Sequence, residues 1–321
     1  MFQSSGDLIA DRRYDYAKAA AAEGDHGAAR DLLAQTLELA PSWPAAWFAL
    51  GEALLALGDE AGARDAYARC RALDPADEHG ACVALEALDG RPGAAAMSPA
   101  YVRNLFDQYA ERFDNHLTRH LAYRGPEVLL AAITRACAIE GLRTPFVRAL
   151  DLGCGTGLFG EALGDMATAI DGVDLSPRML RKAKKRGCYD RLSDEDMLAF
   201  LARAEPGRYD LVAAADVFVY VGDLAPVFAA AARALTPRGL FAFSIQRCEN
   251  ADYALGPERR FSHSIGYVET ALRDAGFAPP RIELASTRNE SKAPVPGAIA
   301  TALRQRSRPA LRPPCWPRRP A

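Results

Sequence analysis

The chain has 321 residues and is half hydrophobic, which is enough to bury a full core and to form more than one domain. Its net charge of -2 conceals three unlike segments: Lys and Arg number 8 against 16 Asp and Glu over residues 1–97, 25 against 25 over 98–303, and 6 against none over 304–321. Seven cysteines with no C-x-x-C pair and no His/Cys ligand spacing exclude a disulfide framework and a metal site, and no stretch approaches twenty apolar residues. Reduced thiols, a cytoplasmic location and no membrane contact are therefore expected, and "MFQSSGDLIADRRYDYAK" lacks the order of a secretion signal.

Residues 8–88 are alanine-rich, helical by pattern, and repeated. Gly24 and Gly58, Ala29 and Ala63, and Pro41 and Pro75 recur at a spacing of 34, and "EGDHGAARDLLAQTLELAP" aligns with "LGDEAGARDAYARCRALDP". Trp47, Leu50, Gly51, Leu54, Gly58, Ala63, Tyr67 and Pro75 resemble the tetratricopeptide (TPR) pattern. Small residues let paired helices approach, large ones fill the gaps, and proline ends the second helix. The first copy carries Arg13 where the second has Trp47, and a third copy begins near Ala81 but fails at Pro92. Two repeats and a lone helix bury little, so the last helix is expected to dock on the domain C-terminal to it. The segment reads either as a groove for a protein partner, preferentially a basic one, or as a stabilising appendage.

After a linker at 89–99, residues 98–303 alternate strand and helix. Strands are expected at 146–153, 168–176, 209–220 and 240–246, with helices at 177–187 (Met179, Leu180 and Ala183 inward), 224–239 (closed by Pro237 and Gly239) and 266–277. Two final strands, 281–287 and 295–302, have no helix between them and should pair antiparallel. The expected fold is a Rossmann-like, doubly wound, mostly parallel sheet with an antiparallel C-terminal hairpin, preceded by an all-α segment. The tail 304–321 holds six Arg and five Pro and is too polar to fold.

The first strand runs into "DLGCGTGLFG", where Gly153, Gly155, Gly157 and Gly160 satisfy both G-x-G-x-G and G-x-G-x-x-G. Such a turn lets backbone amides approach a ligand, and the start of the next helix favours an anionic group. Neither feature selects a cofactor. Asp151, two residues before the first glycine, does more: its charge opposes a diphosphate and suits a ligand with an amino group or sulfonium. That disfavours a NAD-dependent dehydrogenase. Asp174 ends the second strand, where it can accept both ribose hydroxyls.

"DLGCGTG", "GVDLSPRML", "YDLVAAADVFVYV" and "LTPRGLFAFSIQ", in that order, resemble the motifs of class I S-adenosylmethionine-dependent methyltransferases, over about residues 100–303. With the repeats in front, the chain is similar to bacterial TPR-containing methyltransferases, and the resemblance implies a seven-stranded sheet and S-adenosylmethionine as cofactor. It places Asp151, Gly153, Cys154, Gly155 and Gly157 around the methionine part, Asp174 on the ribose, and Leu175 against the adenine. Asp196 and the Met197 backbone would meet the adenine edge, with Asp194 and Glu195 as competitors for that role. Asp216 would face the methyl group and the acceptor. Residues 100–145 resemble an N-terminal helical cap whose aromatics would be Tyr109, Phe113 and Tyr123; cation–π attraction to a sulfonium is worth on the order of 0.5–2 kcal/mol. The same rings, with Phe106, also fit a plain inward helical stripe.

Methyl transfer needs alignment more than acid–base help, so a base matters only for a protonated nucleophile. Asp216, Tyr220 and His263 are the candidates, His263 lying in the segment between the fifth strand and its helix. "ADVFVY" after the fourth strand is not an Asn/Asp-Pro-Pro-aromatic turn, which disfavours amino-methylating DNA- or glutamine-directed chemistry. The basic run "RKAKKRG" reads as a solvated helix face, which disfavours nucleic acid as a partner. The acceptor is expected to be a small molecule or a protein, with a non-catalytic assembly factor on the same fold as the alternative.

Overall fold

A computed structural model describes residues 4–89, 97–111, 113–114, 123–290 and 293–305. Most of the linker (90–96), part of the cap (112 and 115–122) and most of the Arg/Pro-rich tail (306–321) lie outside the described residues.

The front of the chain is five helices: α1 (Leu8–Ala22), α2 (His26–Leu39), α3 (Pro44–Ala56), α4 (Glu60–Leu73) and α5 (Ala81–Asp89). The 34-residue repeat is visible in the capping. The Asp25 carboxylate accepts the Ala28 N–H at 2.9 Å, and Asp59, its counterpart, accepts the Gly62 N–H at 2.9 Å. Each cap of this kind contributes about 1 kcal/mol. Packing within each pair depends on small residues; a Cβ on Gly51 would stand 2.5 Å from the buried Tyr67 ring, so α3 meets α4 at backbone distance. The lone α5 docks as its isolation predicts, with Val83 packed beside Met97 and Phe261.

Two helices come next, α6 (Pro99–Tyr109), over a cavity at the strand ends, and α7 (Gly125–Glu140). Of the cap expected over 100–145, α7 instead packs on a face of the sheet. The α/β part then runs β1 (Ala149–Leu152), α8 (Leu158–Leu163), β2 (Ile170–Asp174), α9 (Pro177–Arg186), β3 (Arg191–Asp194), α10 (Met197–Arg203), β4 (Tyr209–Ala214), α11 (Ala225–Ala234) and β5 (Leu235–Gln246). A short hairpin, β6 (Tyr253–Leu255) with β7 (Phe261–His263), precedes α12 (Ile265–Asp274) and β8 (Arg281–Leu284). The two-residue strands β9 (Asn289–Glu290) and β10 (Ala293–Pro294) pair with each other before β11 (Gly297–Leu303). Seven strands form one sheet in the order β3-β2-β1-β4-β5-β11-β8. β11 runs antiparallel to both β5 and β8, as the missing crossover helix requires, and the remaining pairs are parallel.

Alternation along the strands separates two cores. Leu150, Leu152, Val212, Phe241 and Phe243 face α10, α11 and α12, where Phe218, Phe228 and Phe277 complete a ring cluster. Ala149, Leu211, Ala213 and Ala242 face α7 and α8. Fully burying one such large side chain contributes roughly 1.5–3 kcal/mol.

Two expected boundaries are corrected. The strand expected over 209–220 stops at Ala214: Asp216 adopts a left-handed φ of 55°, and Phe218–Tyr220 is a 3-10 turn. The helix expected over 224–239 ends at Ala234, because β5 already begins at Leu235. Pro237 and Gly239 instead lie in the irregular entry to that strand, where its register against β4 shifts.

Candidate active site

The C-terminal ends of β1, β2 and β4 open into a cavity of about 560 Å³ roofed by α6 together with Phe113 and Tyr123. The glycine loop forms its floor. Gly153 has φ +63°, and a Cβ there would meet Val217 at 2.6 Å; Gly155 has φ +54°, and a Cβ on it would meet nothing within 4 Å, so its backbone is open to a ligand. The loop is pinned to β2, the Cys154 N–H donating to the Val173 carbonyl at 3.0 Å and the Gly155 N–H to Asp174 Oδ2 at 2.9 Å.

Asp174 lines the cavity, its Oδ1 also accepting the Ser176 N–H at 2.8 Å. Burial pushes its carboxyl up to about 6, although the two backbone N–H groups pull the other way. Leu175 lines the wall beside it. Asp196 lines the cavity as well, but its Oδ1 is engaged as the N-cap of α10, accepting from Leu198 and Ala199 at 2.9 and 3.0 Å. Met197 adjoins it. Of the competing acids, Glu195 is paired with Arg203 at the cavity edge, and Asp194 lies 3.9 Å from Arg103.

At the end of β4, Asp216 is held from two sides. Its Oδ1 accepts from Ser244 Oγ and Thr287 Oγ1, both at 2.9 Å, while its own N–H donates to Ser244 Oγ at 2.7 Å. Oδ2 is buried. Burial, first, and then the charges of Asp216 and Asp151 hold the neighbouring Tyr123 phenol far above its usual range.

The cap carries Phe106, Tyr109 and Phe113 into the cavity, with edge-to-face centroids of 6.0 Å for Phe106–Phe113, 5.5 Å for Tyr109–Phe113 and 5.2 Å for Phe106–Tyr220. It is fastened down by short polar contacts: Ser176 Oγ to Asp107 and Thr156 Oγ1 to Asp114, both at 2.6 Å, and Arg186 to Asp114 at 2.9 Å. Part of the basic run 181–187 is thus engaged with the cap and not left to solvent.

Four expected site residues lie elsewhere. Asp151 is only 1% exposed and does not line the cavity; it sits behind the loop on the α7/α8 face, accepting from Tyr189 Oη at 2.7 Å. Burial pushes its carboxyl up to about 7, with the Tyr189 hydrogen bond opposing and the Asp174 charge adding to the shift. Cys154 and Gly157 are packed behind the same loop, and burial drives the Cys154 thiol well up. His263 is the clear correction. It is fully buried, outside the cavity, with Nε2 2.9 Å from both the Val221 and Gly222 carbonyls, and burial lowers its pKa although those carbonyls oppose the shift. A ring so enclosed cannot reach an acceptor. Tyr220 does line the cavity. Residues not anticipated are Arg260 and the buried Arg288, both on the wall, and the Ser244–Thr287 pair that orients Asp216. No cluster of metal ligands occurs among the described residues.

Residues 150–241 match the family model of a methyltransferase domain, and residues 44–77 that of a tetratricopeptide repeat. The stretch from β1 to β5 thus carries the pattern of a methyltransferase domain. The ubiquinone biosynthesis O-methyltransferase of Thiobacillus denitrificans is 34% identical over 115 residues, covering 34% of this chain and 48% of that protein. Its namesake from Bordetella pertussis is 29% identical over 154 residues, covering 41% and 62%. The chain spans about half the length of the curated relatives it matches. Among solved structures, the Burkholderia thailandensis 1,6-didemethyltoxoflavin-N1-methyltransferase aligns with a TM-score of 0.51 at 20% identity, covering 67% of this chain and 93% of that one. The magnesium protoporphyrin IX methyltransferase of Synechocystis aligns at 0.50 and 19%, covering 64% and 99%. Both share the methyltransferase fold.

Proposed function

We propose that the chain transfers a methyl group from S-adenosylmethionine to a small-molecule or protein acceptor. The observation that carries this reading is the charge of the cavity: carboxylates at the ends of β2 and β4 and after β3, under an aromatic roof. Asp174, Glu195, Asp196 and Asp216 outnumber Arg260 and Arg288 on the wall, a balance that disfavours a diphosphate and accommodates a cationic ligand. Asp174 would take the ribose hydroxyls on the lone pairs its backbone partners leave free, Leu175 and Met197 would flank the base, and the open Gly155 backbone would lie against the methionine part. Asp151 would act from behind the loop, as a field and not a contact. When bound, the cofactor supplies an electrophilic methyl on sulfur. The chain's own part is to align and to exclude water, which can contribute roughly 7–11 kcal/mol. Asp216 lines the cavity at the end of β4 and is the carboxylate placed to orient the acceptor, and Tyr220 and the apolar cap favour an apolar acceptor body. The names of the relatives favour an oxygen nucleophile.

Titration calorimetry with S-adenosylhomocysteine and with NADH tests the cofactor: micromolar binding of the first and none of the second is expected. Transfer of labelled methyl into cell extract, lost in Asp216→Ala with S-adenosylhomocysteine affinity retained, then separates an enzyme from a non-catalytic assembly factor.

A further inference from the structure

The hairpin β6–β7 reaches back onto the helical array. Arg259, at its turn, has a left-handed φ of 54° and a side chain only 19% exposed. Its guanidinium forms an ion pair with Glu52 of α3, lies 3.5 Å from the Tyr67 hydroxyl, and sits over the Phe48 ring at 5.3 Å. Tyr67 itself donates to Glu52, so one carboxylate, one phenol and one aromatic face converge on a planar cation. This combination suits arginine over lysine.

The residues after Arg259 reach the cavity. Arg260 is on its wall, and Phe261 packs among Val83, Met97, Tyr101, Val102 and Tyr220. The outer lip, at the start of α6, is tied to the same array: Ser98 Oγ donates to the Asp77 carbonyl at 2.8 Å and Asn104 Nδ2 to the Glu78 carbonyl at 3.2 Å. On the cofactor side, by contrast, the contacts among the described residues run within the α/β part and its cap.

We infer that the Phe48–Glu52–Tyr67 face of the TPR array is a guanidinium receptor filled by the chain's own Arg259, which makes Arg259 a positioning residue for the acceptor wall of the cavity. Its assignment to the acceptor side rests on the methyltransferase reading; the contact itself does not. A protein partner at this face would have to displace the hairpin, so occupancy of the array and the shape of the acceptor wall are coupled.

Hydrogen exchange on the full chain, with S-adenosylhomocysteine titration alongside, tests this. Arg259→Ala should speed amide exchange over 253–263 and 97–109 about tenfold, the loss of one charge-assisted contact set, while changing the ligand Kd less than about twofold. Arg259→Lys should lie between, and Glu52→Gln should show the same pattern if Arg259→Ala folds poorly. The exchanged pair E52R/R259E should recover protection that neither single reversal retains. Unchanged exchange over 253–263 in both Arg259→Ala and Glu52→Gln, or a double reversal no better than its singles, overturns the inference. Failure of the wild-type chain to bind S-adenosylhomocysteine would instead sink the methyltransferase reading and leave the exchange results to stand.

Discussion

The helical array and the α/β part hold together by different means. In the array, buried alanines and one close glycine let neighbouring helices meet, so its contacts are local in sequence, and Tyr67 is its largest fully buried side chain. In the α/β part, rings from 218, 228, 241, 243 and 277 gather over one sheet face, and the cavity draws its carboxylates from three separate strand ends. A local scaffold can be damaged without touching the cofactor side; the site cannot be moved without disturbing the sheet that assembles it.

The sharpest challenge to that contrast is Tyr67→Ala, which removes a fully buried ring and should cost about 3–5 kcal/mol. Calorimetry should show the array melting early while S-adenosylhomocysteine still stabilises the rest; loss of both together would mean one cooperative unit. Next comes pH. The Asp151 carboxyl is raised from 3.8 to about 7, so the native state holds its proton longer than the unfolded chain. Its stabilising contribution is full below about pH 4 and is lost as pH rises through about 7, a slope worth a few kcal/mol. Asp151→Asn should flatten it in denaturant titrations of the ligand-free protein. Asp174→Asn should weaken S-adenosylhomocysteine by roughly ten- to a hundredfold, the value of about 1.5–3 kcal/mol for a hydrogen bond to a charged group. It should also lower the melting temperature, because the amide nitrogen cannot accept the Gly155 or Ser176 N–H that the replaced oxygen accepts. The smallest effect is expected of Asp196→Ala. Removing the α10 cap should cost about 1 kcal/mol, seen as a melting shift of roughly 2–4 °C in the domain transition.

What periodicity encodes is readable from the sequence. The inward stripe Met179, Leu180 and Ala183, the antiparallel last strands and the paired caps at a 34-residue offset arise from local pattern, and the structure has them. What depends on a distant partner is not. Asp151 looks like an acid at the cavity mouth because nothing near it in sequence reveals Tyr189, which claims its Oδ2 from beyond α9. His263 has the local setting of a residue just ahead of a helix; it lies instead on β7, where the period of two that buries Phe261 buries it as well. Arg259, Arg260 and Arg288 stand in segments with no repeat to mark them, and their places are set by the array and the sheet edge.

The acid behind the glycine loop has a calorimetric consequence. Burial pushes that carboxyl up to about 7, into the neutral range, and a cation bound on the other side of the loop would favour its ionised form. Ligand uptake should then eject a fraction of a proton into the medium. The measured heat would depend on the ionisation enthalpy of the buffer chosen, Tris and phosphate giving different apparent values for one association.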